Sequence, residues 1–210
     1  MRFLIFSDIH SDIAALEKLM NTDADYYFAA GDLVNWARGF EKVGPVLQAR
    51  ADRVYVIPGN HESQVDIARF CEEYGLHDFH AQTIEVDGYT IAGLGYSNPT
   101  PFNTPGEYTE AELAERLSPF AGLSPLIMVC HCPPLGTKLD DAGGNRHFGS
   151  QSVRDFIERN QPEYFFCGHI HEAAGASARI GPTKAFNVGK KGYWFELTSP
   201  ARLPELRPTP

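Results

Sequence analysis

The apolar residues of this chain gather in short runs that alternate with helical patterns. Residues 3–6 are four consecutive apolar residues, a pattern typical of a strand buried on both faces. After them Ile13, Leu16, Leu19 and Met20 recur at helical spacing. Further buried strands are predicted over residues 26–30, 53–57, 126–130 and 164–167. Strands that alternate with helices in this way predict an α/β fold.

The segments between these strands have weaker patterns. Residues 83–86 and 89–92 flank Asp87-Gly88, which predicts a two-residue hairpin. Residues 97–107 and 135–150 show no period and are expected to be loops. Helices are expected at residues 40–49 (interrupted near Pro45), around 65–70, at 110–117 and around 153–157. Three short strands are expected near the end of the chain, at residues 175–180, 184–188 and 193–197.

Length and charge narrow the class of protein. The chain has 210 residues, for which we expect one domain over residues 1–198 and a proline-rich tail over residues 199–210. This tail could be free and extended or could strap a neighbouring copy in a homo-oligomer. The formal net charge is -9, so bulk nucleic-acid and membrane binding are not expected. No signal-peptide core or membrane-spanning run is present, and the four cysteines lack CxxC spacing. We therefore expect a soluble, cytoplasmic protein with buried, reduced thiols.

Ligand-type side chains follow five of the predicted strands. They are Asp8, His10, Asp32, Asn60, His61, His131, His169 and His171. Because functional groups of α/β sheets gather beyond the carboxyl ends of the strands, we expect these side chains to share one site. Carboxylate, amide and imidazole groups without a thiolate suit Mn, Fe, Ni or Zn.

The number of ligands is too large for one ion, and a pair of ions that share Asp32 accounts for it. Two divalent ions would keep a surplus of positive charge over two carboxylates, which suits a phosphate substrate. His61 is left over after the ligands are assigned. It lies next to Asn60 and is a candidate general acid for the departing oxygen.

The ordered set of Asp8-Ile9-His10, Gly31-Asp32, residues 59–62, His131 and residues 168–171 resembles the calcineurin-like metallophosphoesterases. That resemblance implies a four-layer sandwich of two mixed β-sheets flanked by helices, with hydrolysis of phosphate esters at two metal ions. It assigns Asp8, His10, Asp32 and His171 to one ion. It assigns Asp32, Asn60, His131 and His169 to the other ion, and it leaves His61 as the acid.

One departure from the family's pattern concerns the residues after Asp32. The protein Ser/Thr phosphatases of the family carry Val-Asp-Arg-Gly there, whereas this chain has residues 33–37, LVNWA, so that subfamily is disfavoured. Pro133-Pro134-Leu135-Gly136 and residues 168–172 look more like the small branch that includes brain metallophosphoesterase-domain proteins and class III cyclic-nucleotide phosphodiesterases.

We therefore expect hydrolysis of a small phosphate ester, a phosphodiester such as a cyclic nucleotide, by attack of metal-bound hydroxide with His61 as the acid. A phosphomonoesterase and a catalytically silent metal-binding scaffold are the alternatives. Glu62 is interpreted as a helix-start residue, and packing is favoured over base stacking for Tyr96 and Phe102. Candidate substrate contacts are Asn35, Arg38, Asn98 and His147.

Overall fold

The computed structural model describes residues 1–197, and the predicted tail over residues 199–210 lies outside them. The described residues form two mixed β-sheets. In chain order the strands are β1 (Arg2–Phe6), β2 (Tyr26–Ala30), β3 (Val54–Ile57), β4 (His77–Asp78), β5 (Gln82–Val86), β6 (Tyr89–Leu94), β7 (Leu126–Cys130), β8 (Tyr164–Cys167), β9 (Ser177–Ile180), β10 (Thr183–Asn187) and β11 (Tyr193–Glu196).

Parallel pairing dominates the centre of both sheets. The first sheet has the order β11-β1-β2-β3-β4, with β11 antiparallel at one edge. The second has the order β5-β6-β7-β8-β10-β9, with antiparallel strands at both edges. Strands β1, β2 and β3 are parallel to one another, as are β6, β7 and β8, so the C-terminal ends of each set meet at one edge.

Helices cover the outer face of each sheet. They are α1 (Ile13–Met20), α2 (Phe40–Gln48), α3 (Gln64–Tyr74), α4 (Glu110–Leu117) and α5 (Gln151–Asn160). Successive side chains of β1 point to opposite faces of its sheet. Phe3 and Ile5 pack between the two sheets, and Leu4 and Phe6 pack against the helices of the first sheet, so both faces of β1 are buried. This confirms the predicted four-layer α/β sandwich. No helix of residues 1–197 has the length and apolar character that a membrane span requires.

Most predicted elements are confirmed, with two corrections. The helix expected to be interrupted near Pro45 is instead continuous, because Val43 and Leu47, two positions to either side of Pro45, are fully buried in the core and hold α2 in place. The two-residue strand β4 was not predicted, since His77 and Asp78 are polar and exposed. The hairpin at Asp87-Gly88 joins β5 and β6 as expected. All four cysteines are free and buried, which confirms their interpretation as reduced thiols.

Candidate metal centre

The predicted ligands lie together at the C-terminal ends of strands from both sheets. Each one comes one to four residues after a strand whose burial holds the preceding backbone in place. They are Asp8 and His10 after β1, Asp32 after β2, Asn60 and His61 after β3, His131 after β7, and His169 and His171 after β8.

Several of these ligands adopt a backbone conformation that is costly outside glycine. The φ angles of Asp8, His10, Asp32 and His169 are 57°, 46°, 54° and 70°. Such positions cost on the order of 1–3 kcal/mol each and persist only where the surroundings hold them. Here the amide of Asp8 donates to the carbonyl of Gly31, and the amide of His10 donates to the carbonyl of Asp32, both at 3.0 Å. The strained turns after β1 and β2 therefore support each other.

The two carboxylates also cross-link the strand ends. The backbone N–H of His169 donates to both oxygens of Asp8, at 3.0 and 3.1 Å. The backbone N–H of His61 donates to Oδ1 of Asp32 at 2.9 Å. Asp8 thus connects the first sheet to the second, and Asp32 connects the ends of β2 and β3.

The ligand atoms form two adjacent groups. Those of Asp8, His10 and His171 lie within 4.8 Å of one another, and so do those of Asp32, His131 and His169. In the first group, Nε2 of His10 and Nε2 of His171 are 2.9 Å apart.

The groups meet at Asp32. Its Oδ2 lies 3.7 Å from Nε2 of His10 and 3.5 Å from Nε2 of His131, and so faces both groups. In the second group, Oδ1 of Asn60 lies 2.9 Å from Nδ1 of His169 and 3.2 Å from Nε2 of His131.

These contacts fit the predicted pair of divalent ions. Ring nitrogens and side-chain oxygens converge on two neighbouring points, and imidazole with carboxylate oxygen is the donor set of first-row divalent metals. In two of these histidines the opposite ring nitrogen is held by an acceptor, as expected around metal-binding histidines. Nδ1 of His10 lies 2.7 Å from Oδ1 of Asn35, and Nδ1 of His131 lies 2.8 Å from the carbonyl of Ala30.

Burial and charge set the protonation of this cluster. Burial alone would lower the pKa of His131, but the adjacent Asp32 carboxylate raises it to about 9. Burial also favours neutral Asp32, yet the charge of His131 keeps the pKa of that carboxyl below its usual range. Burial and the neighbouring His131 lower the pKa of His169 to about 3. A metal ion that binds at His131 must therefore displace a proton.

Glu62 corrects the sequence-based interpretation, in which it begins a helix. Helix α3 begins at Gln64 and is capped by Ser63, whereas Glu62 is fully buried. Its carboxylate accepts backbone N–H groups of Asp32, Val34 and Gly59 at 2.8–3.0 Å. Burial and the nearby Asp32 raise the pKa of Glu62 to about 8. Glu62 therefore holds the loops after β2 and β3 together beneath the ligands.

Thr104 is a second residue that the sequence did not single out. Its Oγ1 accepts a hydrogen bond from Nδ2 of Asn60 at 3.1 Å, which turns the amide oxygen of Asn60 toward the histidines. The hydroxyl of Thr104 donates in turn to Oε1 of Glu107. Both Asn60 and Thr104 are buried. The loop over residues 97–107 thus orients a predicted metal ligand.

His61 lies at the mouth of the site. Its Nδ1 accepts the backbone N–H of Trp36 at 3.4 Å, so the neutral ring carries its proton on Nε2. The ligand atoms of His61, His10 and Asp32 lie within 4.8 Å of one another. This proximity suits an acid beside the reacting phosphate, and it equally suits a metal ligand.

The predicted substrate contacts fall in different places. Asn98 lines a cleft of about 460 Å³ next to Asn60, His61 and His169. Asn35 instead holds the His10 ring. Arg38 is exposed and does not line this cleft.

His147 lies on the other side of its loop. Its Nδ1 is 2.9 Å from Oδ1 of the buried Asp140, and it lines a different cleft. The residues on either side of it, Arg146 and Phe148, do line the cleft at the metal centre. The structure therefore does not bring His147 to the ligands.

Comparisons with known proteins agree with this architecture. A family model described as calcineurin-like phosphoesterase matches residues 1–173. An uncharacterized protein of Methanocaldococcus jannaschii is 29% identical over 200 residues, which cover 92% of this chain and 90% of that protein.

Solved structures share the fold. The phosphopantetheinyl hydrolase of Mycobacterium tuberculosis superposes with a TM-score of 0.64 at 16% identity, over 89% of this chain and 88% of that one. A dimetal phosphatase from Danio rerio superposes with a TM-score of 0.56 at 12% identity, over 89% and 86% of the two chains. Since the family model covers most of the sequence, and the fold and strand-end residues agree with it, this chain belongs to the calcineurin-like phosphoesterases.

Proposed function

We propose that this protein hydrolyses phosphodiesters at a centre of two divalent metal ions, drawn from Mn, Fe, Zn and Ni. The observation that carries the proposal is the position of Asp32, whose Oδ2 faces His10 of one ligand group and His131 of the other. Two bound ions would supply polarisation of the phosphoryl oxygens and a lower pKa of an attacking water.

In this proposal the side chains divide into two ligand sets that share Asp32. Asp8, His10 and His171 complete the first set, and Asn60, His131 and His169 complete the second. The amide of Asn60 is neutral, so the two sets hold only two carboxylates and leave positive charge for the substrate. The phosphate is the anionic part of the substrate that this charge attracts.

His61 protonates the leaving oxygen. Support for this role comes from position, because the ligand atoms of His61, His10 and Asp32 lie within 4.8 Å of one another. The acid form of the ring carries a proton on both nitrogens, so its Nδ1 releases the N–H of Trp36 while Nε2–H donates to the leaving oxygen. General acid catalysis of this kind contributes roughly 10²- to 10⁴-fold in rate.

The charge of the cleft favours diesters over monoesters. Arg146 is the one lysine or arginine among the residues that line the 460 Å³ cleft, and Glu172 opposes it there. A phosphodiester carries one negative charge, whereas a monoester dianion carries about two at neutral pH. Lys190 lies on the other side of the ligand groups, but its Nζ is 3.0 Å from Oδ2 of Asp12, which offsets its charge. One guanidinium in the cleft matches the diester better. A 3′,5′-cyclic nucleotide is the diester to try first among natural compounds.

The proposed reaction is tested by assaying Mn-loaded protein on bis-p-nitrophenyl phosphate, p-nitrophenyl phosphate and 3′,5′-cyclic AMP. We expect a higher kcat/KM for the diesters than for the monoester. A higher kcat/KM on the monoester would make the protein a phosphomonoesterase. No turnover of any ester with metal bound would mean a silent scaffold.

Two variants separate the roles of the residues. Asp32→Ala should lose both ions as measured by metal analysis, and two retained ions would contradict the shared ligand. His61→Ala should keep both ions and lose more rate on a poor leaving group than on nitrophenolate. Loss of one ion in His61→Ala would instead make His61 a ligand, and an equal loss on both leaving groups would refute the acid role.

A further inference from the structure

The cleft beside the metal centre exposes two phenylalanine rings. Phe102 is 72% exposed and Phe148 is 53% exposed, and both line the same cleft as Asn60, His61 and His169. The expectation that Phe102 packs within its loop is therefore wrong. For Tyr96 it is confirmed, since its ring lies 4.6 Å from that of Tyr108.

These two rings contribute little to folding. Among residues 1–197, neither ring stacks on another aromatic side chain, whereas most other phenylalanines lie in the buried clusters. Exposed rings of this size lose the free energy that burial would provide, about 25 cal/mol per Å² of apolar surface. Large apolar side chains that stay exposed beside a metal centre, and so forgo this free energy of burial, are suited to contact a ligand.

The backbone that carries each ring is firmly held. The N–H of Phe102 donates to Oγ1 of Thr100 at 3.2 Å, and Thr100 donates to Glu107 at 2.6 Å. On the opposite loop the N–H of Phe148 donates to the carbonyl of Asp140 at 3.3 Å. The N–H of Gly149 donates to the Asp140 carboxylate at 3.0 Å. The rings are thus presented from two anchored loops.

The rest of the wall agrees with an apolar ligand. Pro99, Pro101 and Ile170 add further apolar surface to the same cleft. A sugar or a bare phosphate would leave this surface in water, while a planar aromatic group would cover it.

We propose that Phe102 and Phe148 bind a planar aromatic group of the substrate while its phosphate lies at the metal centre, an inference that rests on the proposed function. The substrate class is then a phosphate ester that carries an aromatic ring, a nucleobase or another aryl group, near the phosphorus. Sugar phosphates and short alkyl phosphates are poor ligands.

The test measures binding rather than turnover, so that it does not depend on the hydrolytic activity. Phenylphosphonate and methylphosphonate carry the same anionic group and differ in the ring, and neither can be hydrolysed as an ester. Their Kd values for Mn-loaded protein are measured by calorimetry. Stacking on an aromatic side chain contributes about 1–3 kcal/mol, so we expect phenylphosphonate to bind roughly 5- to 150-fold more tightly.

The variants attribute that preference to the rings. The double variant Phe102→Ala/Phe148→Ala should reduce the preference to about twofold or less without weakening methylphosphonate, while Phe102→Tyr/Phe148→Tyr should keep it. Val65→Ala, which removes an exposed apolar side chain outside the cleft, is the matched control and should behave as the wild type.

A second pair of ligands identifies the source of the ring. The non-hydrolysable 5′-methylenephosphonates of adenosine and ribose differ only in the nucleobase. If the adenosine compound binds more tightly than the ribose compound and the double alanine variant loses this difference, the aromatic group of the substrate is a nucleobase. If only phenylphosphonate is preferred over its methyl analogue, the aromatic group is a smaller aryl group. A wild type that does not prefer phenylphosphonate, or a preference that survives the double alanine variant, overturns the proposal. If the preference holds but no ester is hydrolysed, the proposed function fails and the aromatic site stands.

Discussion

Replacing Thr104 by valine tests whether the loop over residues 97–107 controls a metal ligand. Valine has nearly the shape of threonine, so the packing of the buried site changes little. What disappears is the acceptor for Nδ2 of Asn60, which makes no other hydrogen bond within residues 1–197. The amide of Asn60 is then free to rotate its oxygen away from His131 and His169.

The expected size of the effect follows from burial. Asn60 is 4% exposed and Thr104 is 7% exposed, so water does not easily replace the lost acceptor. A buried donor without a partner costs about 1–3 kcal/mol, which corresponds to roughly 5- to 150-fold in an equilibrium constant. Groups that orient metal ligands show losses of about 10- to 100-fold in affinity when removed. We therefore expect Mn²⁺ to bind about 10- to 100-fold more weakly to Thr104→Val.

Mn²⁺ affinity is measured by titrating each protein with Mn²⁺ in a calorimeter. Thermal unfolding of the metal-free proteins confirms that the variants fold. Thr104→Ser keeps the hydroxyl and should bind like the wild type. Thr100→Val is the matched control, because Thr100 also donates to Glu107 but does not contact Asn60. Equal Mn²⁺ affinity of Thr104→Val and Thr104→Ser would refute the orienting role of Thr104.

Three further predictions concern the loops and the pH dependence. A Cβ on Gly59 would lie 2.0 Å from Oδ1 of Asp32, so Gly59→Ala should displace the shared carboxylate and lower kcat/KM by about 100-fold or more. Arg146→Gln should raise KM for a diester about tenfold with a smaller change in kcat, and the effect should shrink in high salt. An unchanged KM would exclude Arg146 from binding. Burial lowers the pKa of His80 to about 4, so the unfolded chain takes up a proton below pH 6.5 that the folded protein does not. The stability that neutral His80 contributes is fully present above pH 6.5 and should fall by about 3 kcal/mol toward pH 4, so urea unfolding of the wild type and of His80→Asn should differ in pH dependence by this amount.

The meeting of the predicted ligands at the strand ends could be foreseen because the topology of a parallel sheet determines where such residues lie. Asp8 and His169 are 161 residues apart, yet they lie within hydrogen-bonding distance because β1 and β8 both end at this site. Apolar runs predict the strands, and the polar residue after each run then has a known place. No loop conformation is needed for that inference.

The residues that orient these ligands lack such a signal. Glu62 precedes a helix, and a glutamate there usually faces solvent near the helix N-terminus. Its burial depends on N–H donors from Asp32, Val34 and Gly59, which belong to two separate loops. Thr104 lies in a segment without any period. Their roles follow from hydrogen bonds between loops, which no local pattern of residues encodes.

The loop over residues 135–150 shows why imidazole chemistry alone is a poor guide away from strand ends. The sequence singles out His147 as the titratable side chain after a glycine-rich turn. Asp140 is fully buried and accepts the N–H groups of Gly136, Thr137 and Gly149, and it also contacts His147. Successive side chains in an extended segment point to opposite sides. His147 turns toward Asp140, and its neighbours at positions 146 and 148 line the cleft. The contact of one buried carboxylate thus helps to decide which side chains of this loop face the cleft at the metal centre.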